Sequence, residues 1–296
     1  MKVYIDGSFF DDSEAKISIF NYGFLYGYGV YEYIRIYNGR IFRLKEHLER
    51  LLYSARTISL IIKIEQSEIE KAIIQTLTIN KLINGYIKLI VTIKGDNRLQ
   101  YNQLKYEYDT TSIIIIAIDT SVCLYTQSLY INGINVITLP LKNVRHDSLD
   151  FHIKSINYLN NMLYKMEAIQ HNVHDSILLN SEGYIIGCSS SNIFIIKNGI
   201  MYTPSIVEGC FDGITRETVI ELSRNKLNLI VKETRINIYN LYNADECFIT
   251  GTIIELIPVV KVNFKYILSG KPGPITIKLM REFKNLVMST GTPIEL

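Results

Sequence analysis

Hydrophobic residues in the first half of the chain follow a two-residue period in some segments and a helical period in others. The alternating stretch KVYIDGSFF at 2–10 is interrupted by Asp6-Gly7, a pair typical of the tight turn in a β-hairpin. In LKEHLERLLYSARTI at 44–58, leucine and alanine recur at helical spacing and predict a helix. The same patterns predict a second helix over 67–82 and strands over 86–95 and 112–119.

Strand and helix patterns also alternate through the second half, with turn signals such as Glu182-Gly183 and Asn198-Gly199 between them. Helices are predicted over 155–170, 215–227 and 275–288, and strands over 134–140 and 247–251. Within 178–187 and 193–203, strands are predicted on either side of these two turns. The segment 120–130 fits neither pattern and is the predicted linker. The sequence therefore predicts an α+β protein with a smaller N-terminal domain, 1–121, and a larger C-terminal domain, 122–296.

Composition and charge narrow the classes of partner. The 296 residues are 48% hydrophobic and 20% charged, with 31 Lys and Arg against 29 Asp and Glu. This balance gives no electrostatic reason to expect binding to nucleic acid or to an anionic membrane. The longest apolar runs, such as 112–118, are much shorter than the ~20 residues of a membrane-spanning helix. We therefore expect neither nucleic acid nor a membrane as a partner.

The cysteines and the first residues bear on the location of the protein. The cysteines at 123, 188, 210 and 247 are far apart, with no Cys-x-x-Cys pair and no nearby histidine at ligand spacing. They are predicted to be reduced thiols, and no metal site is expected. The opening MKVYIDGSFF lacks the apolar core and cleavage site of a secretory signal. The expected location is the cytoplasm.

Lys154 stands where a loop meets a predicted helix. It follows DSLDFHI at 147–153 and precedes the apolar positions of that helix. Most lysines are exposed surface residues, so an arbitrary lysine is rarely a catalytic residue. A lysine that is desolvated at such a junction can, however, lose its proton and form a Schiff base with a carbonyl compound. Lys154 is therefore the candidate nucleophile.

Six segments resemble, in order, the motifs of the fold type IV pyridoxal phosphate enzymes. These enzymes include branched-chain amino acid aminotransferases, which the chain resembles most, D-amino acid aminotransferases and aminodeoxychorismate lyases. The segments are YGFLYGYGVYEYIR at 22–35, FRLKEHLERL at 42–51, HIKSINYLNNMLYKMEA at 152–168, GCSSSNIF at 187–194, GITRE at 213–217 and FITGTIIELIPV at 248–259. The resemblance extends over nearly the whole chain and implies a two-domain architecture with the cofactor at the domain interface.

The resemblance implies pyridoxal 5'-phosphate as the cofactor and assigns residues to it. Lys154 would bind the cofactor covalently and move the substrate proton, and Tyr158 would hydrogen-bond the phenolic oxygen of the ring. Arg50 resembles the phosphate-binding arginine, a role that suits the fixed fork of donors on a guanidinium. The alternative for Arg50 is a solvated charge on a helix. The other implied cofactor contacts are Gly187, Ser190, Ser191, Ile214, Thr215 and Thr252.

A second group of residues is implied on the substrate side. This group comprises Tyr31, Tyr86, Lys88 and Ile253, together with Tyr26 from a second subunit. The implied active unit is therefore a homodimer. The implied reaction exchanges an amino group between an α-amino acid, of branched-chain or other aliphatic type, and a 2-oxo acid.

The chain departs from the family pattern at residue 187, where related sequences carry a glutamate that faces the pyridine nitrogen. Gly187 cannot supply this carboxylate, which makes the ring a weaker electron sink. The resemblance nevertheless suggests that the pocket has room for a glutamate. Bulky Ile253 and Ile254 also replace small residues near the expected site of the substrate carboxylate. Two alternatives stay open: a degenerate homologue that binds the cofactor without effective catalysis, and an aminodeoxychorismate lyase that eliminates pyruvate with the same Lys154.

Overall fold

The chain folds as two units that differ in content from the two predicted domains. The computed structural model describes residues 1–95, 111–120, 126–139 and 152–294. Unit 1 comprises Met1–Cys123, Ile153–Tyr158 and Val287–Leu296, and unit 2 comprises Leu124–His152 and Leu159–Leu286. The predicted boundary after residue 121 lies close to the division at 123, but two later segments join unit 1.

The described elements of unit 1 form one antiparallel sheet with helices beside it. Labels follow chain order, and the sheet order is β16-β4-β3-β5-β6-β1-β2. The strands are β1 (Lys2–Ile5), β2 (Ser8–Asp11), β3 (Gly29–Tyr37), β4 (Arg40–Ile41), β5 (Gly85–Ile93), β6 (Thr111–Asp119) and β16 (Thr292–Pro293). The helices are α1 (Tyr22–Tyr26), α2 (Leu44–Thr57) and α3 (Gln66–Ile79).

The core of unit 1 lies between this sheet and the apolar faces of α2 and α3. Because side chains alternate along a strand, Ile34 of β3 and Ile87 and Leu89 of β5 point to the same face. They are fully buried and pack in one cluster with Leu48 and Leu51 of α2. The leucines whose helical spacing predicted α2 are therefore the residues through which this helix packs on the core.

Unit 2 contains a nine-stranded sheet within the described ranges. Its order is β12-β11-β10-β13-β14-β7-β8-β9, and β15 pairs with β14. The strands are β7 (Ile134–Thr138), β8 (Asp175–Leu179), β9 (Ile185–Cys188), β10 (Asn192–Lys197), β11 (Ile200–Pro204), β12 (Val231–Thr234), β13 (Glu246–Gly251), β14 (Glu255–Val262) and β15 (Lys265–Tyr266). The helices are α4 (Gln127–Asn132), α5 (Leu159–Gln170), α6 (Ile214–Leu227), α7 (Ile238–Tyr242) and most of α8 (Pro274–Ser289).

The cysteines of unit 2 that the structure describes belong to its interior. Cys188, Cys210 and Cys247 are free thiols and buried. Cys188 and Cys247 pack in the main apolar cluster with residues such as Ile193 and Ile249. Burial raises the pKa of each of these thiols, which keeps them protonated and poorly reactive. The fourth cysteine, at 123, lies outside the described residues.

The segment that carries Lys154 differs most from its predicted structure. The pattern predicts a helix from residue 155, but α5 begins at Leu159. Residues 153–158 instead run beside β3, where Tyr31 N–H donates to the Lys154 carbonyl at 2.9 Å and Ile156 N–H donates to Gly29 at 3.0 Å. These hydrogen bonds place Lys154 in unit 1, which corrects its assignment to a C-terminal domain of residues 122–296.

Other predicted elements agree with the structure. The hairpin β1–β2 turns at Asp6-Gly7, and α2, α3, α6 and α8 lie where helical spacing predicts them. Of the predicted linker 120–130, residues 121–125 lie outside the described residues, and the end of the segment is helical because α4 begins at Gln127. Among the described helices, none is both long enough and apolar enough to span a membrane.

Candidate active site

Lys154 is held in place by backbone contacts to two elements of unit 1. Its carbonyl accepts from Tyr31 of β3, and its own N–H donates to Ser54 Oγ of α2 at 3.2 Å. The following residue, Ser155, forms an isolated antiparallel bridge with Val30. Strand β3 and helix α2 therefore hold the backbone of Lys154 from two sides, so the Cα atom that carries the side chain is fixed in position.

The amino group of Lys154 has the properties of a nucleophile. Its Nζ lies 4.9 Å from the centroid of the Tyr31 ring. Burial lowers the pKa of Lys154 to about 8, with the Glu32 charge opposing this shift and the Arg50 charge adding to it. At neutral pH a lysine with this pKa exists as the free amine far more often than an ordinary lysine. Only the free amine can attack a carbonyl carbon.

Arg50 is bound to a buried carboxylate rather than solvated. Its Nε donates to Glu32 Oε1 at 2.7 Å and its Nη2 donates to Glu32 Oε2 at 2.8 Å. The arginine side chain is 15% exposed and the glutamate is fully buried. The alternative of a solvated helix charge is therefore wrong. His47, one turn earlier on α2, contacts Glu32 Oε2 through Nδ1 at 2.8 Å.

Four tyrosines and a lysine form an aromatic cluster in unit 1. Tyr31 contacts Tyr33 and Tyr158 edge to face, with centroids 5.4 and 6.1 Å apart. Tyr33 in turn contacts Tyr86 at 5.8 Å. Lys88 Nζ lies 5.7 and 5.4 Å from the rings of Tyr31 and Tyr33. The structure thus places the predicted residues Tyr31, Tyr86, Lys88 and Tyr158 in one cluster, and within it Tyr31 contacts the Lys154 amine.

Tyr26 lies in α1, away from the ring contacts of this cluster. Its ring packs edge to face on Tyr22 at 5.3 Å, and 44% of its surface is exposed. Helix α1 begins at the cap residue Asn21, whose side chain accepts from Gly23 and Phe24 N–H. The role of Tyr26 in a second subunit stays a prediction.

In unit 2, the turn between β9 and β10 is organised by Asp175 at the start of β8. This carboxylate is 1% exposed and accepts a hydrogen bond from the hydroxyl of Ser189. Its other oxygen accepts from Ser191 Oγ at 3.4 Å. Ser189 is thereby committed to a structural bond, whereas Ser190 at the tip of the turn is exposed. The place of Ser190 and Ser191 beside a ligand stays a prediction.

The N-terminus of α6 lies against Asn192 in the same unit. A Cβ atom at Gly213, the cap residue of α6, would lie 2.2 Å from Asn192 Oδ1, so a larger residue here would have to displace the Asn192 side chain. Asn192 Nδ2 donates to the Phe211 carbonyl at 2.7 Å, which fixes the loop before the helix. The first turn, with Ile214 and Thr215, presents backbone N–H groups and the positive end of the helix dipole, a favourable environment for phosphate.

The segment that contains Thr252 and Ile253 follows β13 and adjoins the serine turn. Asn192 pairs with Thr250 across β10 and β13, and a Cβ atom at Gly251 would lie 3.5 Å from the Ser190 carbonyl. Thr250 is fully buried, and no hydrogen-bond partner of its hydroxyl lies among the residues that the structure describes. Three predicted segments of unit 2 thus converge near Asn192.

Gly187 does not have the room expected for a glutamate. Its φ is +152°, in the region that L side chains rarely adopt, and an added Cβ would lie 2.9 Å from the Ser191 carbonyl oxygen. The same carbonyl accepts from Cys188 N–H at 2.8 Å, so the turn cannot easily move away. The expectation of room for a glutamate is therefore wrong, because the backbone here is shaped for glycine.

Substitution of Gly187 is expected to destabilise the protein rather than to improve catalysis. Gly187→Ala and Gly187→Glu should each lower the free energy of unfolding by about 1–3 kcal/mol, measured by urea denaturation. Gly183→Ala is the matched control, since Gly183 also has positive φ but no atom within 4 Å of the added Cβ. Equal stability of Gly187→Glu and the parent protein would contradict this account.

Several residues of the site escape sequence reasoning. Glu32, His47 and Asp175 are buried polar residues whose partners lie far away in sequence. Tyr33 could have been found, because it lies two residues from Tyr31 and therefore on the same face of β3. Asn192 gave a weaker signal as the polar residue that ends the serine run.

Comparisons with known proteins indicate the family of the chain. The family "Amino-transferase class IV" matches residues 29–262. A Methanocaldococcus jannaschii protein named "Putative branched-chain-amino-acid aminotransferase" is 37% identical over 99% of both chains. The D-alanine aminotransferase of Staphylococcus haemolyticus is 33% identical, over 98% of this chain and 99% of that protein.

A solved structure gives the same result for the fold. The branched-chain amino acid aminotransferase of Thermobaculum terrenum, in its PLP form, has a TM-score of 0.88 and 26% identity, over 100% of this chain and 98% of that chain. The predicted α+β, fold type IV architecture is thereby confirmed. From the match over residues 29–262 and the identity to these relatives, the chain belongs to the class IV aminotransferase family.

Proposed function

We propose that this class IV aminotransferase carries pyridoxal 5'-phosphate on Lys154 and exchanges an amino group between an aliphatic α-amino acid and a 2-oxo acid. The observation that carries the proposal is the Lys154 amine, whose pKa burial lowers to about 8 and whose backbone is fixed by β3 and α2. Pyridoxal phosphate is the cofactor of the family.

The residues of each unit fit this cofactor. Unit 1 supplies a primary amine of lowered pKa in Lys154 and a guanidinium fork in Arg50. Unit 2 supplies the N-terminus of α6 at Ile214 and the hydroxyls near Ser191. A buried, unsatisfied hydroxyl at Thr250 also suits a polar ligand. A site for this cofactor needs an amine that binds the aldehyde and hydrogen-bond donors that bind the phosphate.

When bound, the cofactor supplies an aldehyde for condensation with amines and a ring that accepts electrons from the substrate. As the free amine, Lys154 would hold the cofactor through its aldehyde carbon, and it would move the proton that leaves the substrate α-carbon. Tyr158, which contacts Tyr31, would donate to the phenolic oxygen of the cofactor. In unit 1, Arg50 is the candidate phosphate contact. In unit 2, the candidates are Thr252 and the first N–H groups of α6.

The aromatic cluster favours an aliphatic substrate. The rings of Tyr31, Tyr33 and Tyr86 form an apolar wall that suits a hydrocarbon side chain. Lys88 at this wall is the candidate substrate contact of unit 1. In unit 2 the candidate is Ile253 after β13, whose bulk would limit the size of the substrate. Relatives named for branched-chain amino acids and for D-alanine leave both enantiomers to be tested.

The proposal is tested with the purified protein and its cofactor. Absorbance is recorded before and after adding L-leucine, L-valine or D-alanine, and amino transfer to 2-oxoglutarate is followed by mass spectrometry. Spectral change with product formation from an aliphatic amino acid supports the proposal. A bound cofactor whose spectrum no amino acid changes would favour the degenerate homologue, for which the Gly187 departure is the specific observation. Pyruvate release from aminodeoxychorismate would favour the lyase.

We also propose a homodimer in the cytoplasm. Helix α5 has an apolar face that is exposed in the single chain, at 46–67% of each residue, formed by Leu159, Met162, Leu163, Met166 and Ile169. Their spacing places them on one side of the helix, a pattern typical of an interface. The buried free thiols of unit 2 suit a reducing compartment.

Charges on this face are expected to separate the subunits. The double variant Leu163→Glu/Met166→Glu should convert a dimer into a monomer in light scattering, because two carboxylates would be desolvated at the interface. Lys278→Glu on α8, at an exposed position, is the matched control. A parent protein that scatters as a monomer would contradict the proposal.

A further inference from the structure

We propose that Glu32 and His47 are positioning residues that hold the Arg50 guanidinium in the orientation that binds the cofactor phosphate. This inference rests on the proposed function, in which Arg50 is a phosphate ligand. It adds two residues to that site that would touch neither cofactor nor substrate. Their effect passes entirely through the arginine.

The contacts of Glu32 define one orientation of the guanidinium. Its two oxygens accept from Arg50 Nε and Nη2 at 2.7 and 2.8 Å, so the carboxylate faces one edge of the fork in plane. Within this ion pair, Glu32 is fully buried, with 0% of its surface exposed. A bidentate bond of this kind fixes both the position and the plane of the guanidinium.

His47 fixes the carboxylate in turn. Burial alone would raise the pKa of Glu32, but the charge of Arg50 and the hydrogen bonds from His47 and Arg50 lower it to about 2. The carboxylate therefore carries no proton at neutral pH, and the hydrogen in the 2.8 Å contact belongs to His47 Nδ1. Burial lowers the pKa of His47, so the donor is a neutral imidazole.

Because His47 is uncharged, its effect on Arg50 is one of position and not of charge. The Glu32 carboxylate already neutralises Arg50, and an uncharged imidazole adds nothing to that balance. What His47 adds is a third donor, which holds the carboxylate against the face of α2. Because His47 and Arg50 are three residues apart on this helix, both ends of the contact are rigid. The residues that hydrogen-bond a long side chain therefore determine how precisely its end group is placed.

The experiment compares the affinities of the apoprotein for pyridoxal phosphate and for phosphate-free pyridoxal. His47→Leu should lower the ratio of these two affinities about tenfold, because only the phosphate contact depends on the orientation of Arg50. His47→Asn, which can place an amide donor near the position of Nδ1, should restore most of the ratio. A purely structural role would weaken both ligands alike and leave the ratio unchanged, which would overturn the inference.

A second variant keeps the test decisive if His47→Leu does not fold. Glu32→Asp retains the charge but withdraws the carboxylate from the guanidinium by one methylene. It should also lower the ratio, by about tenfold. Because the charge beside the phosphate site is unchanged, the loss would report on geometry. An unchanged ratio in Glu32→Asp would overturn the inference.

Removing the ion pair distinguishes this inference from the proposed role of Arg50. The double variant Glu32→Gln/Arg50→Met removes both charges together, and it should lose the preference for the phosphorylated ligand. His47→Leu added to that background should change the ratio no further. If the double variant keeps the parental ratio, Arg50 is not the phosphate ligand and both proposals fail. If it loses the preference while His47→Leu and Glu32→Asp keep it, only the positioning role fails.

Discussion

Replacing Lys154 with alanine is expected to remove covalent attachment of the cofactor and to lower the rate of amino transfer by at least about 10⁴-fold. The variant lacks both the amine that captures the aldehyde and the group that moves the α-proton. Borohydride reduction of the parent protein followed by peptide mapping should place the pyridoxyl group on Lys154, and the variant should carry none. Initial rates with the best amino acid measure the catalytic loss.

Lys94→Ala is the matched control for this experiment. Lys94 is 47% exposed at its side chain and pairs with Asp6 at 3.1 Å, so its loss should leave cofactor attachment intact and the rate within about twofold. A pyridoxyl group on Lys88, Lys94 or Lys165 would refute the assignment of Lys154. The low pKa of Lys154 favours the assignment, since burial holds it at about 8.

Replacing Arg50 with alanine is expected to lower the free energy of unfolding by about 3–5 kcal/mol, besides weakening cofactor binding. The reason is that Glu32, with 0% exposure, would lose two of its three charge-assisted hydrogen bonds and remain a buried charge. Urea denaturation of the apoprotein at neutral pH measures this loss. Arg56→Ala, on an exposed position of the same helix, should change stability by less than about 0.5 kcal/mol.

The cost of losing Arg50 should depend on pH in a defined direction. The pKa of Glu32 is about 2 in the folded protein against an ordinary 4.5, so its stabilising contribution is present above pH 4.5 and is lost as pH falls toward 2. The difference between parent and Arg50→Ala should therefore be largest above pH 5 and shrink below it. Adding Glu32→Gln to Arg50→Ala should recover part of the stability. An unchanged denaturation midpoint in Arg50→Ala would show that the pair contributes nothing.

Elements whose pattern is local could be predicted from the amino-acid sequence. The hairpin at Asp6-Gly7 and helix α2, with leucines at helical spacing, lie where predicted, because turn propensity and amphipathic burial depend on neighbouring residues. The family and its candidate lysine also followed from ordered motifs. Lys154 could be identified because the segment around it resembles the lysine segment of the family.

Contacts between distant residues, and the side chains that the backbone permits at a given position, could be read only from the folded chain. Residues 155–158 follow a helical pattern, yet hydrogen bonds to β3 keep them out of α5. The partner of Arg50 is Glu32, on a strand that packs against the helix, and no spacing rule connects the two. The shape of the turn at Gly187 depends on its contact with Ser191. Each of these outcomes arises from burial and hydrogen bonding between separate segments, which local periodicity does not encode.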